Sequence, residues 1–256
     1  MAARHGTYTY VKLIVVLAER KLTTYVYAVA VYKVKGRTLQ LNNLQSLQTL
    51  VNVPTSCCDL KDLVQLTRLK KLKIRVDTNQ ELNVPKDSTF EQLESLAMAA
   101  STLEHLQPVD IEPLFSICPN IRKLQVELPI LTLPEDNLIS RLLKLTLRHT
   151  HLNCGPMSML GRLQDLRILV LGTDAFIRTE MICSEGVMEG AFPCLNHLHI
   201  EDCVRLCEVP DGLRHVSTLK KMVIKGMSTA FCCRLRRGVD FEKVQHVQSR
   251  DFLDVF

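Results

Sequence analysis

The sequence predicts an α/β solenoid, a curved horseshoe of stacked repeats with a parallel β-sheet on its concave face. Three observations predict it. Leucine supplies 41 of the 256 residues, about 16%. Those leucines recur in steps of three that close on a step of two. The unit they mark recurs about every 25 residues along the chain. Hydrophobic residues make up 46% and charged residues 23%, enough for a sizeable core. Aromatics are only 5% and Trp is absent, so that core must be aliphatic. Ten Gly and ten Pro are too few for a fibrous or disordered chain.

The clearest repeat runs through Leu60, Leu63, Leu66, Leu69, Leu72 and Ile74. Leu160, Leu163, Leu166, Leu169 and Leu171 repeat it, as do Leu213, Val216, Leu219, Met222 and Ile224. Leu195, Leu198, Ile200 and Cys203 give L-x-x-L-x-I-x-x-C. Weaker copies lie at Leu44–Leu50, Phe90–Met98, Ile117–Val126 and Leu138–Leu147. The step of two is the period of a strand, so both apolar side chains of each unit point inward. The strand-opening residues are then Leu50, Leu72, Leu96, Leu124, Leu145, Leu169, Leu198 and Met222. The intervals between them are 22, 24, 28, 21, 24, 29 and 24 residues, typical of about eight irregular leucine-rich repeats. One unit cannot bury its apolar edge alone; stacked units form one continuous core. Amphipathic helices are the competing explanation. A helical stripe averages 3.5 or 3.6 residues and does not follow steps of three ending in two. Most of the prolines also fall between the strands, where they would break long helices.

This reading divides the chain into a non-repeat segment or cap at 1–38, repeats at 39–225, and a C-terminal cap or tail at 226–256. Within the first segment, YTYVKLIVVLAERKLTTYVYAVAVYKV is rich in Val and Tyr and prone to strand. It reads as a capping strand or hairpin, or as sequence foreign to an intact domain, such as a wrongly assigned first exon. The polar composition of 226–256 suits the outer face of a terminal repeat.

The ten cysteines scatter over a long chain, and Cys57–Cys58 and Cys232–Cys233 are adjacent pairs unsuited to internal disulfides. None of the nine asparagines heads an N-x-[ST] sequon. Both features point to reduced thiols and a cytoplasmic location. The apolar runs Leu13–Ala18 and Tyr25–Tyr32 are far shorter than the ~20 residues of a membrane span. No signal peptide is expected either. Net charge is +5, with no run of Lys and Arg interleaved with aromatics, so a nucleic-acid partner is not expected.

No P-loop, H-E-x-x-H, G-x-S-x-G, G-x-G-x-x-G or C-x-x-C occurs. The sequence therefore predicts no enzyme, no cofactor and no catalytic or metal site. Cys203, Cys207, His197 and His199 come nearest to a metal cluster. In the repeat register, however, the histidines flank inward Leu198 and face outward while Cys203 points in, so the set diverges. His149 and His151 read as solvent-facing loop residues. Cys154 and Cys183 lie in loops without a nearby base.

The outward strand positions carry the one candidate site. Lys70, Lys71, Lys73 and Arg75 belong to one repeat, and Arg122, Lys123 and Gln125 to another. Lys144, Thr146, Arg148 and His149 follow, then Arg167, then Asn196, His197, His199 and Glu201, then Lys220, Lys221 and Lys225. Singly, each charge reads as a solvated residue. Together they make a mostly basic ridge on the face that solenoids commonly use for binding, suited to an acidic protein patch.

The stretch LNNLQSLQTLVNVPTSCCDLKDLVQLTRLKKLKI (Leu41–Ile74) resembles the repeat region of plant nucleotide-binding leucine-rich-repeat immune receptors of the coiled-coil type. The resemblance sharpens at FPCLNHLHIEDCVRLCEVPDGLRHVSTLKKMVIKGM (Phe192–Met227) and at FEKVQH (Phe241–His246), and covers roughly 40–256. It implies a defence role with protein partners: a pathogen effector, a guarded host protein, or the nucleotide-binding domain whose resting state the repeats hold. The chain lacks that family's coiled coil, P-loop and nucleotide switch, so the resemblance is to a truncated receptor that neither binds ATP nor signals alone. The alternative is another intracellular repeat adaptor, such as the substrate-recognition subunit of an F-box ligase. That subunit would carry about 40–50 helical residues before its repeats, and residues 1–38 do not read as helical.

Overall fold

A computed structural model describes residues 25–27, 41, 44–56, 58–76, 82–85, 87–104, 106–152, 160–176, 190–236 and 238–253. Most of the 1–38 segment, and with it the hairpin expectation, lies outside the described residues, as do Cys57, Cys154 and Cys183.

The described strands form one sheet in chain order, every neighbour parallel. They are β1 (Tyr25–Tyr27), β2 (Thr49–Pro54), β3 (Lys71–Val76), β4 (Ser95–Ala100), β5 (Lys123–Glu127), β6 (Lys144–Arg148), β7 (Ile168–Leu171), β8 (His197–Glu201), β9 (Lys221–Lys225) and β10 (Ser249–Leu253). The eight strand-opening residues read from the sequence are register partners in one unbroken row. Leu50 pairs with Leu72, Leu72 with Leu96, and so on through Leu124, Leu145, Leu169 and Leu198 to Met222. All eight are buried. The sheet extends one strand past this row at each end.

Many of the three-residue leucine steps before the strands are turns closed by their own backbone. In the connection to β3, Leu66 N–H donates to Leu63 O at 3.0 Å and Leu69 N–H to Leu66 O at 2.9 Å. The same bonds recur at Leu163 to Leu160 (3.1 Å), Val216 to Leu213 (3.1 Å) and Val247 to Val244 (3.1 Å). The turn returns the chain to the same side every third residue, so each leucine enters the core with its own amide bonded within the turn. Short helices fill the outer side of some repeats: α1 (Leu60–Val64), α2 (Glu112–Ser116) and α3 (Asp136–Ile139). Asp59 caps α1 by accepting from Lys61 N–H at 3.1 Å.

Among the described strands the register is interrupted at β2. Register shifts between Val51 and Val53, and Asn52 takes φ 69°. Asn tolerates that left-handed conformation, and its side-chain oxygen accepts from Arg75 Nη1 at 3.4 Å.

After β9 the chain turns at Gly226 (φ 61°), where a Cβ would collide with the Asp202 carboxylate, so only glycine fits. Helix α4 (Thr229–Arg236) and a 3-10 turn (Phe241–Lys243) then cover the last repeat with Phe231, Leu235, Val244 and Val247 buried. In β10, Arg250 stands at the level of Met222, where the earlier strands carry an apolar residue. Its guanidinium lies 5.0 Å over the Phe241 ring, so the leucine row ends on a cation–π contact.

Candidate functional site

Outward strand side chains form rows running across the sheet. Lys71, Lys123, Lys144, His197 and Lys221 share the first row; Lys73 and His199 share the second; Arg75, Arg148 and Lys225 share the third. Lys70, Arg122, Arg167 and Lys220 each sit one residue before a strand and form a leading rim. Their amides donate to the rung before: Lys70 to Gln48 O (2.8 Å), Arg122 to Glu94 O (2.9 Å), Arg167 to Leu143 O (2.9 Å) and Lys220 to Asn196 O (3.0 Å). His149 stands apart, just past β6 at φ 52°, with Nδ1 3.9 Å from Asp174.

The third row is not simply basic, and here the structure departs from the ridge read in the sequence. Two carboxylates interrupt it. Lys73 Nζ reaches across β4, where Ala97 and Ala99 face outward, to Glu127 Oε2 at 3.9 Å. Arg148 Nη1 meets the same carboxylate at 3.6 Å, and its Nη2 crosses β7 to Glu201 Oε2 at 3.1 Å. Lys225 Nζ closes on Glu201 Oε1 at 3.1 Å. Alternating charges thus run from β3 to β9. The crossings depend on small residues. A Cβ on Gly172 would lie 2.6 Å from Arg148 Cγ and 2.7 Å from Nε, so glycine leaves the groove in which the arginine lies.

Electrostatics follow this geometry. The hydrogen bond from Lys225, with a second from Arg148, outweighs burial and holds the Glu201 carboxyl below its ordinary range. Burial pushes the His199 imidazole down, although Glu201, 3.8 Å from its Nε2, pulls the other way. That Nε2 is buried without a hydrogen-bond partner among the described residues. Each ladder pair is part-exposed, so each contributes at most ~1 kcal/mol. Their main consequence is that Lys73, Arg148 and Lys225 are already paired. Lys221 is also engaged, with Asp251 at 3.1 Å.

The metal-cluster candidates separate as the register requires. His197 is exposed on the sheet face. The Cys203 thiol has its one proton to donate among the carbonyls of Gly172 (3.3 Å) and Glu201 (3.5 Å) at the bend. Burial pushes this thiol up to about 12, and that of Cys118 likewise to about 12, so neither is a thiolate near neutrality. Among the described residues no group of three His, Cys, Asp or Glu could hold a metal ion.

One cluster escaped the sequence reading. Under the C-terminal cap the Asp240 carboxylate is fully buried. It accepts from Arg234 Nε (2.9 Å) and Nη2 (3.1 Å), Lys243 Nζ (2.8 Å) and the Val209 amide (3.2 Å). Lys243, 6% exposed, donates further to Val209 O (2.7 Å) and Asp211 (2.8 Å). Arg234 reaches Glu208 at 2.6 Å. The cluster latches the cap onto the 208–211 loop. Its sequence signal was the Lys within FEKVQH, which reads as a surface charge until the fold brings Val209 to it.

Comparison with known proteins places this geometry in a family. The family model described as a leucine-rich repeat region matches residues 21–237, a span that takes in β1 and α4. At1g59780 of Arabidopsis thaliana, described as a disease resistance protein, is 30% identical over 235 residues, which cover 82% of this chain and 24% of that protein. Disease resistance protein RPP8 of the same plant is 27% identical over 84% of this chain and 26% of its own length. Disease resistance protein RPH8A, also from Arabidopsis thaliana, is 26% identical over the same shares. The chain spans about a quarter of the length of these relatives. Among the described residues no helix is long and apolar enough to cross a membrane. Matched along most of its length and built as one row of register-paired leucines, this chain belongs to the leucine-rich-repeat family, in the form found in plant disease resistance proteins.

Proposed function

We propose that this chain is a non-catalytic, cytoplasmic protein-interaction scaffold of plant defence. Its concave face recognises a pathogen effector or a guarded host protein, holds the nucleotide-binding domain of a resistance protein in its resting state, or does both. The observation that carries the reading is the unbroken outward face of β2 to β10. It is an array of side chains set by parallel strand pairing, on a chain similar over four-fifths of its length to disease resistance proteins. Solenoids bind along such faces because each repeat adds contacts at a fixed spacing. The relatives are about four times longer, which leaves room in them for the switch that the repeats would control.

Co-precipitation tests this. The chain is expressed in leaves with a coiled-coil nucleotide-binding fragment of a related receptor. Capture of the fragment is the expected outcome. A soluble, folded chain that captures nothing would remove the regulatory half of the reading.

A further inference from the structure

We infer that the docking cations of this molecule are those of the leading rim and of the first outward row beside it, which together form one basic rim, rather than the paired cations behind them, and that this rim takes an extended acidic polypeptide segment. The inference rests on the proposed scaffold reading and narrows it to one surface and one partner chemistry.

Three observations carry it. Lys73, Arg148 and Lys225 are engaged by Glu127 and Glu201, Arg75 by the Asn52 side chain and the Ser101 carbonyl, and Lys221 by Asp251. By contrast Lys71, Arg122, Lys123, Lys144, Arg167 and Lys220 make no ion pair or side-chain hydrogen bond among the described residues. Secondly, the rim concentrates charge of one sign. Lys123 and Lys144 are direct register partners, an unfavourable like-charge pair that no carboxylate bridges. Glu94 is the one acidic residue of the rim and lies between Lys70 and Arg122. Thirdly, the backbone under these side chains is fixed rung by rung. The Lys123 amide joins that of Arg122 on Glu94 O (2.9 Å), Lys144 donates to Arg122 O (3.1 Å), and Lys221 joins Lys220 on Asn196 O (2.9 Å).

The spacing suits a polypeptide. From β3 to β9 the rim spans six strand intervals, roughly 29 Å at about 4.8 Å each, which an extended segment of about nine residues covers. Carboxylates on one side of such a segment repeat about every 6.6 Å, so about five of them face the rim, and the long Lys and Arg side chains take up the mismatch with the strand spacing. Single-stranded nucleic acid also carries regular charge, but it binds through bases stacked on aromatic rings. The outward positions of β2 to β10 hold no Phe, Tyr or Trp.

The test is fluorescence anisotropy with a labelled oligoglutamate peptide of about ten residues, in about 0.1 M salt, where charges beyond ~10 Å are screened. We compare the parent chain with Lys123→Glu/Lys144→Glu/Arg167→Glu, and with a control, Lys61→Glu/Arg68→Glu/Arg141→Glu, that reverses three exposed cations on the connections. The expected result is saturable binding that the rim variant weakens at least tenfold and the control by less than twofold. If the rim reversal fails to fold, Lys123→Gln/Lys144→Gln/Arg167→Gln replaces it, with a loss of at least threefold expected. Equal binding by parent and rim variant overturns the inference, as does equal loss in the control. Tighter binding of oligouridylate than of oligoglutamate overturns it in favour of a nucleic-acid surface. Failure of co-precipitation beside rim-dependent peptide binding would sink the regulatory reading and leave the rim; the converse would sink the rim and leave the reading.

Discussion

Removal of the Asp240 carboxylate should release the C-terminal cap while leaving the middle of the sheet folded. In Asp240→Ala, the Val209 amide loses its acceptor and Lys243 loses one of two carboxylate partners in a nearly dry site. Breaking a buried ion pair from one side costs about 3–5 kcal/mol. Two features place this case near the lower bound. Lys243 keeps Asp211 and the Val209 carbonyl, and Arg234, half-exposed, keeps Glu208 and water. A cost of about 3 kcal/mol raises the opening constant of the cap about a hundredfold. Repeats couple mainly to their neighbours, so the loss should stay at that end. Amide hydrogen exchange reads it directly: residues 229–253 should lose about two decades of protection while β5 to β7 keep theirs. Asp211→Ala is the control. Its carboxylate is exposed, and its loss leaves Lys243 paired with Asp240, so about 1 kcal/mol or less is expected. A threefold change or less in Asp240→Ala, or equal loss across the central strands, would refute the latch. Acidity should act in the same direction. Burial pushes the Asp240 carboxyl up, but bonds from Arg234, Lys243 and the Val209 amide together outweigh it and hold it low. Asp211 is likewise held low, by Lys243. A carboxyl whose folded pKa lies below its unfolded value of about 3.9 contributes stability above that value and loses it as pH falls. Cap protection should therefore be flat above about pH 5 and fall as the pH drops through 4 and below.

Two further predictions concern the sheet. Leu169→Ala and Leu198→Ala each empty a site that is 0% or 1% exposed, and each should destabilise the chain by about 2–5 kcal/mol in urea unfolding; near-parent midpoints for both would contradict the register. Gly172→Val should expel Arg148 from its groove, so the Arg148–Glu201 coupling, about 0.5–1 kcal/mol in a double-mutant cycle, should vanish in that background; persistence of the coupling would show that the arginine has another path.

The leucine register was legible because it rests on one local rule. A step of two inside steps of three sets which side chains face inward, and no distant contact can change that without exposing the whole row. Cys203 was legible for the same reason, since its place after Ile200 set the direction of its thiol. The charge ladder was not. Glu127 looks like one more polar strand residue until the register sets it two strands from Lys73, with alanines between. Gly172 reads as a loop glycine until Arg148 lies across it. The latch was hidden for a different reason. Asp240 and Val209 are 31 positions apart, and nothing near either marks a charge that will be fully buried. The segment before residue 39 gave a strand preference, and Tyr25–Tyr27 is a strand in register with Thr49–Val51.

The ladder also bears on how the solenoid holds its shape. A stack of repeats derives its cohesion from each unit touching the next, so its free energy is close to a sum of adjacent interfaces. Lys73 to Glu127 and Arg148 to Glu201 each pass over a strand and join repeats that are not adjacent. Such a link ties together the strands on either side of the skipped one, a contact that the sum over adjacent interfaces does not contain. Both skipped strands carry the small outward residues that make the crossing possible, Ala97 and Ala99 on β4 and Gly172 just past β7. A large side chain there would add surface for a partner and remove the brace. The small residues give up contact area in the middle of the concave face and keep the two ends of each bridge within reach, and the cations so bridged are withdrawn from any acidic partner, which leaves that role to the rim.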